Sequence, residues 1–502
     1  MLRLLNYIYL VLLLAVIGPN ASAFSMLGAF NTAWQTLRLG YQGVDGQIGG
    51  PMNLGEEYRW NAPIIYYGVD SAFLNYFGER GREEIDKAVK VLNDLPPMSQ
   101  ITNLDNYPLK TERSNYRAQA LGLFDLKSNA LATMVEELGL ASPSRFVFTL
   151  RNRWLGPTGA PTNYLIVRRN FDPVTLNPSS YINGDLWTFI NVIDDAVPGG
   201  SIVVNALVDP LAYGNPVADL PSGFSSFGVG SFFTGLTRDD VGGLRYIYNP
   251  ANKNVENPVT NAFGSIFGGG PIPSGGGQAN GSPWEPFFLS TNGTGTVVGG
   301  AAGSPWAPVL VSTNTTTGGG GTGGGGVTPI GTNNFISTAL RGGVNKLSFV
   351  RVDFDSLLGQ FIAPVLDSFS DTIVTNNASF TQTLQRIVTA PDILFTAGDL
   401  IPGDQGGPGF PILARSAGWQ NNATLNNRTA PGDAGPGTIQ PSILITFGTF
   451  GPAFIASFPS PLSEAASPRL VAWGSFDGTT NEPVVYPNGT SIRDIERLLL
   501  SP

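Results

Sequence analysis

The chain has 502 residues and contains neither histidine nor cysteine. Its 28 basic and 37 acidic residues give a net charge of −9, and 42% of its residues are hydrophobic. This composition excludes a Ser-His-Asp or Cys-His catalytic site, zinc ligation by histidine or cysteine, and disulfide bonds. The basic residues are not clustered in the way that nucleic acid requires, so nucleic acid is excluded as a partner.

The N-terminus has the pattern of a Sec-type signal peptide. Arg3 precedes a short apolar run at residues 7–17, and an Ala-Ser-Ala cleavage site ends at Ala23. We expect residues 1–23 to be removed, so that Phe24 begins the mature chain and no transmembrane segment remains. The expected location is secreted or extracellular, at the cell surface or in the periplasm. An uncleaved membrane anchor is the alternative.

Residues 24–255 have the pattern of an α/β domain, with a mixed sheet and three helices. Residues 63–70 predict a strand of high β-propensity. Apolar residues at helical spacing predict helices at residues 81–95 and 126–138, the second with Asp125 as its N-cap. The remaining predicted elements are strands at 146–150, 164–169 and 186–193, with an Asn183-Gly184 hairpin turn before the last.

The third helix is predicted to begin at Thr237. Thr237 and Asp240 have the spacing of a capping box, with Asp in place of the usual Glu. Val241, Leu244 and Ile247 then fall on one face, which predicts that this face is buried.

The sequence of this helix also resembles a known family. Residues 236–248, LTRDDVGGLRYIY, resemble the closing helix of matrixin-like metzincin peptidases, which has the pattern L-[ST]-x-D-D-[IV]-x-G-[IL]. The resemblance extends loosely over residues 55–250 and implies a metzincin-like domain. The family's zinc helix, H-E-x-x-H, should precede this segment, but residues 206–233 contain no histidine. The resemblance therefore implies a metal-free pseudoenzyme, and no functional residue is carried over. The alternative is that the motif is only a good helix cap.

Residues 256–332 have the composition of a Gly-rich linker, in which Glu285 is the only charged residue after Glu256. The segment contains a repeat with a period of 22 residues, because residues 281–292 recur at 303–314. Each copy holds one Trp and a short apolar run. We interpret the repeat as part of the linker. The alternative is that both runs add as strands to a sheet edge, in this molecule or in a neighbour.

Residues 333–502 are predicted to form a mainly-β domain. A hairpin is expected around Asn376-Asn377, and a short closing helix at residues 492–500 has Ser491 and Asp494 at cap spacing. The predicted strands are residues 347–354, 371–375, 380–388, 393–395 and 443–447.

Carboxylate pairs are one kind of catalytic site that this composition permits, since glycosidases use two carboxyl groups. The candidates are Glu56-Glu57 beside Trp60, Asp194-Asp195, and Asp353 with Asp355. The simpler interpretation is that each is solvated or ion-paired. The arginines named as partners are Arg151, Arg153, Arg168 and Arg169.

The sequence contains two further candidate sites. Gly489-Thr490-Ser491 resembles the nucleophile motif of sedolisin-type peptidases, but we interpret Ser491 as a helix cap. A structural calcium ion near Asp399 and Asp404 is an open alternative, and no cofactor is predicted. Seven N-x-[ST] sequons follow the leader, at Asn280, Asn292, Asn314, Asn377, Asn422, Asn427 and Asn488.

The sequence thus predicts no catalytic, cofactor-binding or metal-binding residue. The predicted function is that of a secreted, non-enzymatic structural or adhesion protein that binds itself, other surface proteins or glycans and assembles through strand edges. The alternatives are a hydrolase that uses carboxylates and a glycan-binding module.

Overall fold

The computed structural model describes residues 23–26, 52–55, 57–141, 143–155, 157, 161–189, 205–207, 229–256, 258, 262–265, 339–375, 378–399, 420–421, 443–449 and 472–500. Within these ranges the fold is mixed α/β, with few helices and many strands in several sheets.

The strands are short, apart from one long hairpin. In chain order they are β1 (Phe24–Met26), β2 (Tyr58–Arg59), β3 (Ile64–Val69), β4 (Glu112–Ser114), β5 (Leu123–Asp125), β6 (Leu140–Ala141), β7 (Thr149–Leu155), β8 (Pro161–Val167), β9 (Asn170–Phe171), β10 (Tyr181–Ile182), β11 (Asp185–Phe189), β12 (Asn205–Leu207), β13 (Ser231–Phe233), β14 (Lys253–Glu256), β15 (Ala262–Ser265), β16 (Ala339–Gly342), β17 (Ser348–Arg351), β18 (Phe354–Asp355), β19 (Gln360–Phe361), β20 (Val365–Thr375), β21 (Ala378–Val388), β22 (Ile393–Asp399), β23 (Gln420–Asn421), β24 (Ile443–Thr449), β25 (Ala472–Ser475) and β26 (Val484–Val485).

The described helices are one long helix and five shorter ones. They are α1 (Ser71–Asn93), α2 (Tyr116–Leu121), α3 (Leu126–Glu137), α4 (Pro143–Phe146), α5 (Arg238–Tyr248) and α6 (Ile492–Leu500). Two 3₁₀ turns, Met98–Gln100 and Leu104–Asn106, follow α1.

A parallel sheet connects distant parts of the chain. Its strand order is β17-β3-β22-β24, and each neighbouring pair is parallel. Helix α1 follows β3 directly and contacts both β17 and β22. Because β3 belongs to residues 24–255 and its partners to residues 333–502, the described residues of the two predicted domains share this sheet.

The predicted strand at residues 63–70 is confirmed as β3. Its sequence, IIYYGV, is rich in β-branched and aromatic residues, and both of its faces are largely covered. Ile65 and Tyr67 pack in the main core, whereas Tyr66 packs with Phe361 and Val388. The strand therefore lies between two apolar layers.

Helix α1 begins ten residues before the predicted start at residue 81. Asp70 is its N-cap, accepting a bond from the Phe73 N–H at 2.7 Å. The helix is interrupted at Gly78, where φ is 64°, and the Asn488 N–H donates to the Tyr76 carbonyl beside this kink at 2.7 Å. The prediction found only the regular part after the kink, because the first turns are rich in aromatic residues, which have low helix propensity.

Helices α3 and α5 confirm the predicted caps. The Asp125 carboxylate accepts from the Ser128 N–H at 2.9 Å, and Gly139 takes a left-handed φ of 103° where a Cβ would collide with the Tyr58 carbonyl. Thr237 and Asp240 form a complete capping box at the start of α5. The predicted inner face of α5 is fully buried, with its residues in the main core.

A second large sheet is antiparallel, with the order β14-β16-β20-β21-β15. The predicted hairpin around residues 376–377 is confirmed, since Thr375 pairs with Ala378 and the register continues to Val365 and Val388. Residues 262–265, which the composition assigns to the linker, form β15 in this sheet. The repeats at 281–292 and 303–314 lie outside the described residues.

Other predicted elements differ in their bounds. Residues 146–150 were expected to be one strand, but Phe146 ends the short helix α4 and the strand β7 begins at Thr149. The predicted strand at 164–169 is shifted to Pro161–Val167. The Asn183-Gly184 turn is confirmed, because Ile182 pairs with Asp185 and both turn residues have positive φ.

The main hydrophobic core also draws on both halves of the chain. It contains Phe24, Trp60 and Leu244 together with Phe395 and Trp473. Such a core has no local sequence signal, since its members are brought together by the pairing of distant strands.

Candidate functional surfaces

Glu57, one residue of the first predicted carboxylate pair, lies in the interior of the fold. Glu57 is fully buried and accepts from the side chains of Asn252 and Asn254 at 2.7 and 2.6 Å, and from the Gly55 N–H at 2.7 Å. Trp60 is also buried and donates from its indole to the Glu137 carbonyl at 3.1 Å. Glu57 therefore joins β2 to β14, while Glu56 lies outside the described residues.

Buried ion pairs lie next to these contacts of Glu57. Arg59 contacts Glu256 at 2.5 Å, and Arg341 forms two bonds to Asp371, at 3.0 and 2.9 Å. Arg341 also donates to the backbone carbonyl of Glu256. Burial raises the pKa of Glu256, while the guanidinium of Arg59 acts to lower it. The network fixes β2, β14, β16 and β20 to each other.

A second buried network is centred on Arg386 of β21. Its guanidinium forms two bonds of 2.9 Å to Asp392 and one of 3.3 Å to Asp367, and it lies 5.5 Å from the centre of the Tyr66 ring. Asp392 also accepts from the Tyr66 N–H at 2.9 Å. Burial acts to lower the pKa of Arg386, but Asp392 and Asp367 outweigh it and leave that pKa raised.

These arginines are not the ones that sequence reasoning named. Arg168 is exposed and lies 3.4 Å from the Ser180 hydroxyl, and the side chains of Arg151 and Arg153 lie outside the described residues. The sequence signal that could have identified such a residue is an arginine next to apolar residues in a predicted strand, as in Leu384-Gln385-Arg386-Ile387. A charge at such a position must be paired if it is buried.

The other candidate residues have local structural roles or lie outside the described ranges. Ser491 caps α6, with its N–H and hydroxyl donating to Asp494 at 3.0 and 2.6 Å. These hydrogen bonds lower the pKa of Asp494. Asp399 ends β22. Asp194, Asp195 and Asp404 lie outside the described residues, and no cluster of three metal-ligating side chains occurs within them.

The carboxyl end of the parallel sheet is a place where open α/β sheets commonly bind ligands. Asp70 follows β3 there, and its second carboxylate oxygen accepts from the Thr396 hydroxyl. The Ser71 N–H donates to the Ser356 hydroxyl at 2.8 Å. The first bond attaches the start of α1 to β22, and the second attaches it to the small hairpin formed by β18 and β19.

This small hairpin exposes apolar side chains at its end. Leu357 is 98% exposed and Leu358 56%; we call these two residues the apolar tip. Phe361 anchors the hairpin, since it is buried and its ring lies 6.5 Å from that of Tyr66. The tip is thus fixed to the parallel sheet.

The turn that carries the apolar tip is well defined. The Asp355 carboxylate accepts from the N–H groups of Leu357 and Leu358 at 2.8 and 3.1 Å. The Gly359 N–H donates to the Asp355 carbonyl at 2.8 Å, and Gly359 takes a left-handed φ of 68°. Asp355 therefore stabilises the turn, and Asp353 before it is exposed.

The outer edge of β17 is closed by a side chain. The Asn93 carboxamide donates to the Phe349 carbonyl at 2.9 Å and accepts from the Phe349 N–H at 2.8 Å. It replaces the pairing that another strand would give at this residue. The Lys346 ammonium donates to the carbonyls of Asn93 and Leu95, which attaches the same segment to the end of α1.

A small apolar cavity of about 10 Å³ lies between the end of α1, α5 and β17, lined by Leu92, Tyr248 and Phe349 among others. This volume is close to the minimum for one water molecule. Among the described residues, no helix is long and apolar enough to cross a membrane.

No protein-family model, no curated protein and no solved structure matches the chain. The resemblance of residues 236–248 to metzincins therefore stays a prediction. The segment in which the zinc helix was sought lies largely outside the described residues.

Proposed function

We propose that the protein is a secreted, non-enzymatic structural or adhesion protein of the extracellular space or a cell surface. The observation that carries this proposal is the apolar tip. Two leucine side chains are exposed next to each other in the turn of a hairpin that is anchored by the buried Phe361. Exposed apolar groups that are held together in this way are typical of interaction sites.

The placement of the candidate carboxylates supports a role without catalysis. Glu57, which was a candidate for acid or base chemistry, is engaged by three donors in the interior. Asp355 stabilises the turn below the apolar tip. These groups hold the fold and the tip in place.

The environment of Phe24 is compatible with the proposed leader boundary. Phe24 is the first residue of β1, is 1% exposed, and pairs with Phe171 of β9. A chain that begins at Phe24 after cleavage would keep this strand and the core contacts of its side chain. Secretion through the predicted leader is therefore compatible with the fold.

Assembly through strand edges is part of the proposal, and Asn93 limits where it takes place. Because its carboxamide occupies the outer groups of Phe349, a strand from another molecule has no free pair of groups at that residue. We infer that assembly by strand addition uses an edge other than that of β17.

The proposal is tested by purifying the chain from Phe24 onward and measuring two properties in parallel. Light scattering and electron microscopy report assembly, and peptide and glycan substrates report hydrolysis with and without EDTA. We expect assembly or partner binding without hydrolysis. A monodisperse monomer with robust hydrolysis would contradict the proposal and favour the hydrolase alternative.

A further inference from the structure

We propose that Asn488 is a site of non-enzymatic modification, at which the side-chain amide is lost and isoaspartate forms. The reacting group is the backbone nitrogen of Gly489, and water is the other reactant. The inference goes beyond the proposed function and does not depend on it. It follows from the different ways in which the structure holds two Asn-Gly pairs, Asn183-Gly184 and Asn488-Gly489.

The reaction takes place within the chain. The Gly489 nitrogen attacks Cγ of Asn488, so that an N–Cγ bond forms and the Cγ–Nδ2 bond breaks. The amide proton of Gly489 leaves with Nδ2, and ammonia is released. Water then opens the five-membered succinimide at one of its two carbonyl carbons, which gives aspartate or isoaspartate. A following glycine favours the attack, since it has no Cβ to hinder the close approach of its backbone.

The groups that must react are accessible at Asn488. Both Asn488 and Gly489 are exposed. Within the described part of the chain, neither the Asn488 carboxamide nor the Gly489 N–H makes a hydrogen bond. Gly489 has a left-handed φ of 91° and faces open space on its Cβ side. The bond that spans the pair runs from the Thr490 N–H to the Pro487 carbonyl at 3.0 Å. The Gly489 peptide can therefore turn toward Cγ when this turn bond opens.

The Asn183-Gly184 pair lies in the opposite environment. Asn183 is fully buried, and its N–H donates to the Asp239 carboxylate at 2.6 Å. The pair forms the turn between β10 and β11, in which Ile182 pairs with Asp185. A buried asparagine that is held in this way reacts only after the hairpin opens locally. The same dipeptide should therefore react more slowly here than at residue 488.

Isoaspartate at residue 488 should weaken the attachment of the C-terminal helix. The Asn488 N–H donates to the Tyr76 carbonyl beside the kink of α1 at 2.7 Å. The two segments are in close contact, because a Cβ at Gly78 would lie 2.9 Å from Cγ and Nδ2 of Asn488. Isoaspartate adds one carbon atom to the main chain at this contact. Because the turn leads into α6, whose Ile495 is buried, we expect the modification to loosen α6.

The test follows the chain from Phe24 onward over time at neutral pH, both folded and in urea. After digestion, mass spectrometry measures the exchange of ammonia for water at each Asn-Gly pair, and fragmentation distinguishes isoaspartate from aspartate. Asn183-Gly184 is the internal control. Asn488→Gln is the matched variant, because its longer side chain would have to close a larger ring. Ion exchange separates the modified chain by its added negative charge, and hydrogen exchange of α6 is then measured in both fractions.

We expect the folded chain to convert Asn488 faster than Asn183 by on the order of tenfold or more, and the chain in urea to convert both at similar rates. Amides of α6 should exchange faster in the modified chain, and incubation of Asn488→Gln should not produce this change. Equal rates at the two pairs in the folded chain, or no isoaspartate at residue 488, would overturn the inference. A carbohydrate on Nδ2 of Asn488 would also overturn it, since ammonia could then not leave. Unchanged exchange in the modified chain would overturn the loosening of α6.

Discussion

Two neighbouring hairpins differ in which side chains they bury and which they expose. The long hairpin of β20 and β21 buries Asp367, Asp371 and Arg386, whereas the short hairpin before it exposes Leu357 and Leu358. In the long hairpin each of these charges has a partner of opposite sign at hydrogen-bond distance. The difference indicates that the buried charges serve the architecture, whereas the exposed apolar groups are where we propose that a partner binds.

Substitution of the buried Arg386 should have the largest effect on the free energy of unfolding. Arg386→Met removes the charge that Asp367 and Asp392 share and leaves two carboxylates in the interior, so we expect a loss of about 3–5 kcal/mol in the free energy of unfolding. Urea unfolding measures it, and Arg168→Met is the matched control at an exposed position. A loss below about 1 kcal/mol would show that the network is not structural.

Asp125 provides a buried carboxylate without an arginine for comparison. Burial raises the pKa of Asp125 to about 6 from its ordinary value of 3.8. Since the folded pKa exceeds the unfolded one, the stability that Asp125 contributes is present below about pH 4 and is lost as the pH rises through 6.

Asp125→Asn keeps the cap and removes this titration. The stability of the variant relative to wild type should therefore rise between pH 4 and 7, by on the order of 2–3 kcal/mol. Urea unfolding at several pH values measures the difference. A difference that does not vary with pH would contradict the raised pKa.

A substitution at the edge of β17 should have a smaller effect on the free energy of unfolding. Asn93→Ala removes both bonds to Phe349, so we expect a loss of about 1 kcal/mol and more self-association, because the edge is then open to another strand. Light scattering against concentration measures the second effect, with Asn106→Ala at an exposed position as the control. Unchanged association would mean that other contacts already close this edge.

The apolar tip should give the smallest change in stability. Leu357→Ser/Leu358→Ser alters side chains that are largely solvated, so the free energy of unfolding should change by less than about 0.5 kcal/mol. Phe361→Ala in the same hairpin should cost about 3–5 kcal/mol, since its ring is buried. If the serine variant is as unstable as Phe361→Ala, the tip is part of the core and not a binding surface.

Local elements with clear caps could be predicted from the sequence. Helices α3 and α5 were found because Asp125 and Thr237 carry their capping function in their own side chains. The start of α1 was missed because its first turns are rich in aromatic residues and end at the kink at Gly78, where Asn488, far away in the chain, donates to the Tyr76 carbonyl.

Pairing between distant strands could not be predicted. The partner of Ile64 is Ser348, on the far side of the Gly-rich segment, and parallel pairing has no local turn signal. The ion pair of Arg59 with Glu256 likewise joins residues that are 197 positions apart in the chain. The apolar tip was missed because a run such as Leu357-Leu358 has the same composition whether it is buried or exposed.

The most direct test of the central claim is adhesion. Labelled chain from Phe24 onward and its Leu357→Ser/Leu358→Ser variant would be sedimented with cells that produce the protein, and the bound fractions compared. The account predicts that the wild-type chain sediments with the cells and that the equally stable variant stays in the supernatant. Equal sedimentation of both chains, or of neither, would contradict the claim that the apolar tip is the binding surface.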